Sequence, residues 1–238
     1  MTADPLSEVL GRTAHAVASR IGEVFDDLWA IEAKIAAAAA SMPPAPGRAH
    51  FSFLQPLFQE LLLRHAPLIE GGGIAYQPGT LADAELWLEW WRAQAPGAAK
   101  FIAHDLNPRS IRYYDYANRD WFRIPAAAGH AVAIGPYVDM GGININTVTL
   151  TVPARTGHGT HVLGLDVSLS ALEAIFLRAV QTPEPTIILV GSNARIIASN
   201  SSRMVIGKLA DLEKAVLNVP LAPEKYDQLP WHLVVTDR

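Results

Sequence analysis

The chain has 238 residues, half of them hydrophobic and 18% charged, with a net charge of -4 at pH 7. That composition excludes a disordered chain, and the scattered basic residues exclude the Lys and Arg clusters with which a nucleic-acid binder neutralises phosphates. Cysteine is absent, which excludes disulfides, thiolate catalysis and zinc–thiolate sites.

The N-terminal stretch carries Asp4, Glu8 and Arg12 instead of a basic segment followed by an apolar one, so it does not read as a signal peptide. No uncharged stretch reaches the roughly 18 apolar residues of a membrane helix. The expectation is a cytoplasmic chain with no membrane partner. Leu10, Ala14, Val17, Ile21, Val24, Leu28, Ile31 and Ile35 alternate steps of four and three, a heptad seam on one long helix. Its seam is about 39 Å long at 1.5 Å per residue. It can pair with a second copy as a coiled coil or pack on the chain's own sheet, and Pro43, Pro44, Pro46 and Gly47 end it.

A second helix is expected over Phe51–His65, with Leu54, Leu57, Phe58, Leu61 and Leu62 on one face. Gly71, Gly72 and Gly73 lack the spacing of a phosphate loop and read as a flexible turn before a strand over Ile74–Gln77. Leu81–Trp91 reads as helical, and Phe101–His104 as a strand. β-branched runs over Ala131–Ile134, Asn146–Val152 and His161–Val167 predict strands, the last two joined by a hairpin turn at Gly157–His161. Ser168 is a natural N-cap for a helix to Val180. Strands over Thr186–Val190, Ile196–Ser199 and Trp231–Thr236 complete an α+β order of mostly antiparallel strands with interposed helices.

The densest mix of aromatic and charged groups is Tyr114–Trp121, followed by Tyr137, Asp139 and Asp166. These residue types suit a free amino acid. A guanidinium such as Arg119 grips a carboxylate bidentately; Asp139 and Asp166 suit an ammonium, and Tyr114, Trp121 and Tyr137 offer walls attractive to a cation. The blander reading makes Arg119 and Asp166 a structural ion pair, because a buried carboxylate wants a partner. His104, Asp105 and His161 suggest a metal-dependent hydrolase as an alternative, although three converging ligands are needed and His158 and His161 fall where a solvated turn is expected.

The spaced set Tyr114, Arg119, Trp121, Phe122, then Tyr137 and Asp139, then Asp166 in a strand reading GLD resembles the amino-acid-binding motif of double-Cache sensor domains, which occur mainly in bacterial chemoreceptors and sensor kinases. Pro136-Tyr137, Val152-Pro153 and the downstream stretches GSNARIIAS, IGKL and WHLVV agree with it. The resemblance implies a PAS-like antiparallel sheet with the long helix packed on it. It divides the chain into the helix (1–42), a ligand-binding lobe (43–180) and a shortened second lobe (181–238). It implies that Arg119, Trp121 and Tyr114 take the ligand carboxylate, and that Asp166, Tyr137 and Asp139 take the ammonium. Phe122 departs from the family's tyrosine and lacks one phenol hydroxyl. The expected protein is therefore a soluble, dimeric sensor of an amino acid, acting on a separate effector without cofactor or catalysis; an amine or a small carboxylate is the alternative ligand.

Overall fold

The computed structural model describes residues 4–94, 98–139, 146–221 and 229–236. Its first element, α1 (Pro5–Ala39), starts with proline in the first turn, where the missing N–H costs nothing. Leu10, Val17, Ile21, Val24, Leu28, Ile31 and Ile35 of the seam are buried and Ala14 is half-buried. The seam lies on the chain's own sheet and on a later helix, so the packing alternative holds for these residues. Each such side chain contributes about 1.5–3 kcal/mol when fully buried. Among the described residues no helix is long and apolar enough to cross a membrane.

A 3-10 turn (Arg48–Phe51) precedes α2 (Leu54–Arg64), which buries Leu54, Phe58, Leu61 and Leu62. The triple glycine is not a turn. Gly71, Gly72 and Gly73 lie inside strand β1 (Ile69–Ala75). The helix expected over Leu81–Trp91 is also overturned: Leu88–Gln94 is strand β2, paired antiparallel with β1. The bulky Trp90 and Trp91 stand opposite Gly73 and Gly72 and cover the bare backbone there, a long-range demand that outweighs local helical spacing. Strand β3 is Ala98–Phe101, so the strand expected over Phe101–His104 is misplaced and shares only Phe101 with it.

An unforeseen helix, α3 (Asp120–Ala128), follows and ends at Gly129 in the left-handed conformation (φ 74°). Strands β4 (Val132–Val138), β5 (Asn146–Thr156) and β6 (Gly159–Ser168) run beyond their predicted bounds. His161 accordingly sits inside β6 and is buried, not solvated in a turn. Ser168 is at the N-cap of α4 (Leu169–Val180), but its hydroxyl pairs with that of Ser170 at 3.0 Å and not with the helix backbone. Strands β7 (Thr186–Val190), β8 (Ile196–Ser199) and β10 (Trp231–Thr236) match expectation. Strand β9 (Ala215–Leu221) does not, since it is a largely exposed edge strand with Pro220 and no alternating pattern.

The strands form a six-stranded antiparallel sheet, β3-β2-β1-β6-β5-β4, and a four-stranded one, β8-β7-β10-β9. The α+β architecture is as read from the sequence. Side-chain alternation divides the large sheet. Ile74, Leu163, Leu165, Val148 and Leu150 join the core beneath α1 and α2. Trp90, Ala75 and Val162 share the opposite face with Trp121, Phe122 and the 114–116 aromatics. That second face carries the polar cluster.

Candidate functional site

Asp166 is 3% exposed, in the middle of β6, with Gly71 of β1 and Thr149 of β5 as register neighbours. Thr149 Oγ1 donates to its Oδ1 at 2.8 Å, and Trp90 Nε1 donates to its Oδ2 at 2.8 Å. Trp90 reaches it across β1 over Gly71, where a Cβ would lie 3.5 Å from Trp90 Nε1 and 3.6 Å from Asp166 Oδ2. A Cβ on Gly164 would lie 2.7 Å from Trp90 Cη2. The glycines thus create the path for the indole. Burial pushes the Asp166 carboxyl up to about 7; the bonds from Thr149 and Trp90 hold it down, and the charge of Asp139 raises it further. Its hydrogen-bond donors are neutral, so the structural ion pair with Arg119 is not what satisfies it.

Tyr137 enters from β4, after the irregular pairing between Ile134 and Tyr137, and its hydroxyl lies 2.6 Å from Thr149 Oγ1. Asp139 is 6% exposed and accepts a 2.8 Å bond from the Tyr114 hydroxyl. Burial first, and neighbouring carboxylates second, hold both phenols well above their ordinary value, so both remain neutral donors. His104 stacks on the Tyr114 ring at 4.9 Å. Its charged form is disfavoured by burial and favoured by Asp139, with a net lowering.

Arg119 occupies the N-cap position of α3 and is exposed, with its guanidinium carbon 5.5 Å from the Tyr114 ring centroid. Its charge also reaches Tyr137, whose phenol it holds down slightly. Trp121, in the first turn of α3, packs on Trp90 at 5.4 Å. Phe122 stands edge-on to Tyr116 at 5.4 Å and to Trp121 at 6.3 Å. Tyr114, Trp121, Tyr137, Asp139 and Asp166, together with Leu88, Trp90 and His104, line one narrow cavity of about 10 Å³, room for about one water. Arg119 and Phe122 are not among the lining residues. The first is set against the cavity wall formed by Tyr114, and the second supports the wall formed by Trp121.

Leu88, Trp90 and Thr149 were not foreseen as site residues, and His104 was foreseen only as a metal ligand. The signal available was the alternation of Leu88 and Trp90 with Glu89 and Trp91, which marks one strand face once the segment is read as a strand. The trio His104, Asp105 and His161 does not converge. Asp105 closes a turn by accepting from Ser110 Oγ at 2.5 Å and from the Asn107 amide at 3.1 Å. His161 accepts the Gln77 amide at 3.2 Å and packs against Phe51 and Tyr76, and burial lowers it to about 4. Among the described residues no group of three or more His, Asp or Glu is placed to hold a metal ion. What the cavity presents is two carboxylates, aromatic faces and neutral hydroxyls, a lining suited to a small cation.

No protein-family model matches the sequence, and a search of curated proteins returns no relative. Solved structures do match. The ligand-binding domain of the Pseudomonas aeruginosa amino-acid chemoreceptor PctC, in complex with GABA, superposes with a TM-score of 0.61 at 17% identity, over 98% of this chain and 100% of that one. The ligand-binding domain of the Pseudomonas fluorescens chemoreceptor CtaA, in complex with L-valine, gives 0.62 at 13%, over 97% and 94%. The fold is that of the Cache-type sensor domains. The extracellular domain of soHK1S-Z6, of the histidine-kinase class, shares this Cache fold at 0.60 and 17%, over 98% and 93%. Because that neighbour is extracellular, the expected cytoplasmic placement gains no support from the Cache fold.

Proposed function

We propose that the chain is a sensory module that binds a free L-amino acid in the cavity between Trp90, Tyr114, Trp121, Tyr137, Asp139 and Asp166. The observation that carries this is the convergence of both aspartates with the aromatic residues on one cavity, with Arg119 beside it. An ammonium set against Asp166 and Asp139 meets the charge that the neutral donors of Asp166 leave uncompensated, and Arg119 with Trp121 and Tyr114 takes the carboxylate. The same fold in receptors solved with GABA and L-valine supports the choice of ligand class. An amine alone would leave Arg119 facing a cation, and a simple carboxylate would face two aspartates, so both are weaker candidates.

Residues 43–180 serve as the ligand lobe in this reading, and 181–238 as the second lobe. Thr149 and Asp166 contact the ligand side of β5 and β6, and α1 rests on the other side of β5. A ligand that favours one arrangement of β5 therefore shifts α1, which passes the change to a second copy or to an effector protein. Thermal denaturation across the twenty amino acids, with amines and small carboxylates as controls, tests the binding. Stabilisation should grow as RT ln(1 + [L]/Kd) for at least one amino acid and vanish in Arg119→Ala and Asp166→Ala. No shift with any amino acid, or a shift that survives both substitutions, removes the reading.

A further inference from the structure

The cavity wall formed by Tyr137 is braced from the four-stranded sheet. Strand β4 loses its regular pairing between Ile134 and Tyr137 and regains it where Tyr137 stands opposite Thr147. In that gap a Cβ on Gly135 would lie 2.7 Å from the Thr147 carbonyl oxygen and 3.3 Å from Tyr137 Cδ1, so the ring rests over bare backbone. The Gly135 carbonyl meets the turn between β7 and β8. A Cβ on Gly191 would lie 2.7 Å from its oxygen, and Asn193 Nδ2 donates to the Pro136 carbonyl at 3.4 Å. That turn is firmly held: Gly191 N donates to Arg195 O at 2.9 Å, Arg195 N to Asn193 Oδ1 at 3.2 Å, and the Arg195 guanidinium to Gly207 O at 2.7 Å. Ala194 within it adopts a left-handed conformation (φ 56°), a strain that persists only where the surroundings over-determine it.

We propose that Gly191 and Asn193 are positioning residues of the ligand site: outside the cavity, they fix the Gly135–Pro136 backbone and through it the seat of the Tyr137 ring. This rests on the amino-acid reading above and adds to it residues that touch no ligand. The Tyr137 hydroxyl lies 2.6 Å from Thr149 Oγ1, and Thr149 Oγ1 donates to Asp166 at 2.8 Å. A shift of the Gly135 backbone therefore moves the ring and disturbs the hydroxyl relay that ends on Asp166. Only glycine fits at position 191, because a methyl group there has to push the Gly135 carbonyl, which is backbone and cannot swing aside. Asn193 acts from both ends of its amide: the oxygen closes the turn on the Arg195 amide, and the nitrogen ties the turn to Pro136. Such a brace works both ways, so the state of the four-stranded sheet sets the affinity of the cavity and the ligand in turn acts on that sheet.

Two variants of the full chain test this, Gly191→Ala and Asn193→Asp. The second keeps an acceptor for the Arg195 amide but offers Pro136 no donor, so it spares the turn and its fold. Val234→Ala is the control, since it hollows the small core of the same sheet with Ile188, Val190 and Ile196 and touches neither lobe contact. The readouts are calorimetric titration with each of the twenty amino acids and NMR of selectively labelled tyrosine rings, with Tyr137 assigned by its loss in Tyr137→Phe. Gly191→Ala and Asn193→Asp should each move the Tyr137 resonance and weaken every amino acid that the wild type binds by at least about fivefold, while Val234→Ala changes neither. A Tyr137 resonance that stays in place in both variants overturns the proposal, as does unchanged affinity in both, or an equal loss of affinity in Val234→Ala. If the wild type binds none of the twenty, the amino-acid reading fails, and the Tyr137 resonance still decides whether the turn positions that ring.

Discussion

Trp90 Nε1 donates a 2.8 Å hydrogen bond to Asp166 Oδ2 across an intervening strand. The bond passes over Gly71 of β1, where a Cβ would lie 3.5 Å from Trp90 Nε1 and 3.6 Å from Asp166 Oδ2, and the indole has room because Gly164 carries no side chain. It holds a buried carboxylate with a neutral donor, and Thr149 adds a second. Neutral donors orient a carboxylate and favour its ionised form without cancelling its charge. Asp166 is therefore firmly placed but electrostatically incomplete, as the proposed ammonium site requires.

Replacing Trp90 by Phe keeps the ring contact with Trp121 and deletes the N–H. Because that N–H favours ionised Asp166, the carboxyl should rise further above about 7. The stability lost should be about 1–3 kcal/mol at pH 8 and smaller at pH 5, where the carboxyl is protonated. Urea unfolding at the two pH values measures this. Equal losses at both would mean the indole contributes packing alone.

Asp166 itself should set a pH profile of stability. Its carboxyl sits near 7 when folded, above the ordinary 3.8. Between those values the folded chain holds a proton that the unfolded chain has released. The associated stability is fully present below roughly pH 4 and is lost as pH rises through roughly 7. Asp166→Asn removes the titration and fits the network: its carbonyl accepts from Trp90, its amide donates to Thr149, and Thr149 turns to donate to Tyr137. The variant should match the wild type near pH 4, exceed it at pH 8, and bind no amino acid. Melting temperatures from pH 4 to pH 9 decide it, and parallel profiles would discard the assignment.

The sequence made legible whatever is encoded by neighbours along the chain. The heptad of α1, the long β5–β6 hairpin and strands β7, β8 and β10 announce themselves by local periodicity. Strand β2 does not, because Leu81, Trp87, Leu88 and Trp91 mimic helical spacing, and what makes them a strand is the bare glycine backbone of β1, distant in sequence. The site divides in the same way. Tyr114, Trp121, Tyr137, Asp139 and Asp166 were found through a spaced pattern, and all five line the cavity. Trp90 and His104 complete it from segments outside that pattern, and only the sheet register brings Trp90 to Asp166.

Gly164 offers a test of that register by packing alone. A methyl group there would meet Trp90 Cη2 at 2.7 Å and Thr151 Cγ2 at 3.3 Å. Gly164→Ala should cost about 1–3 kcal/mol as an overpacked site. In the Trp90→Phe background the clashing carbon is gone, so the same substitution should cost markedly less. A double-mutant cycle by urea unfolding reads the coupling directly. Additive losses would show that the glycine is retained for some reason other than the indole.

Ligand binding should expel a proton. An ammonium beside Asp166 favours the ionised carboxylate, so below about pH 7 the carboxyl must release its proton before the ion pair forms. Affinity for the amino acid should then fall by up to about tenfold for each pH unit below 7 and level off above about 8. Calorimetry at pH 6 in two buffers of different ionisation enthalpy should give heats that differ by close to one proton per ligand. The ligand's own ammonium and carboxylate do not titrate in this window, so the proton has to come from the protein. A Kd that stays constant from pH 5.5 to pH 8, with heats independent of buffer, would mean that the ammonium does not meet Asp166 and that the charge of Asp139 alone receives it.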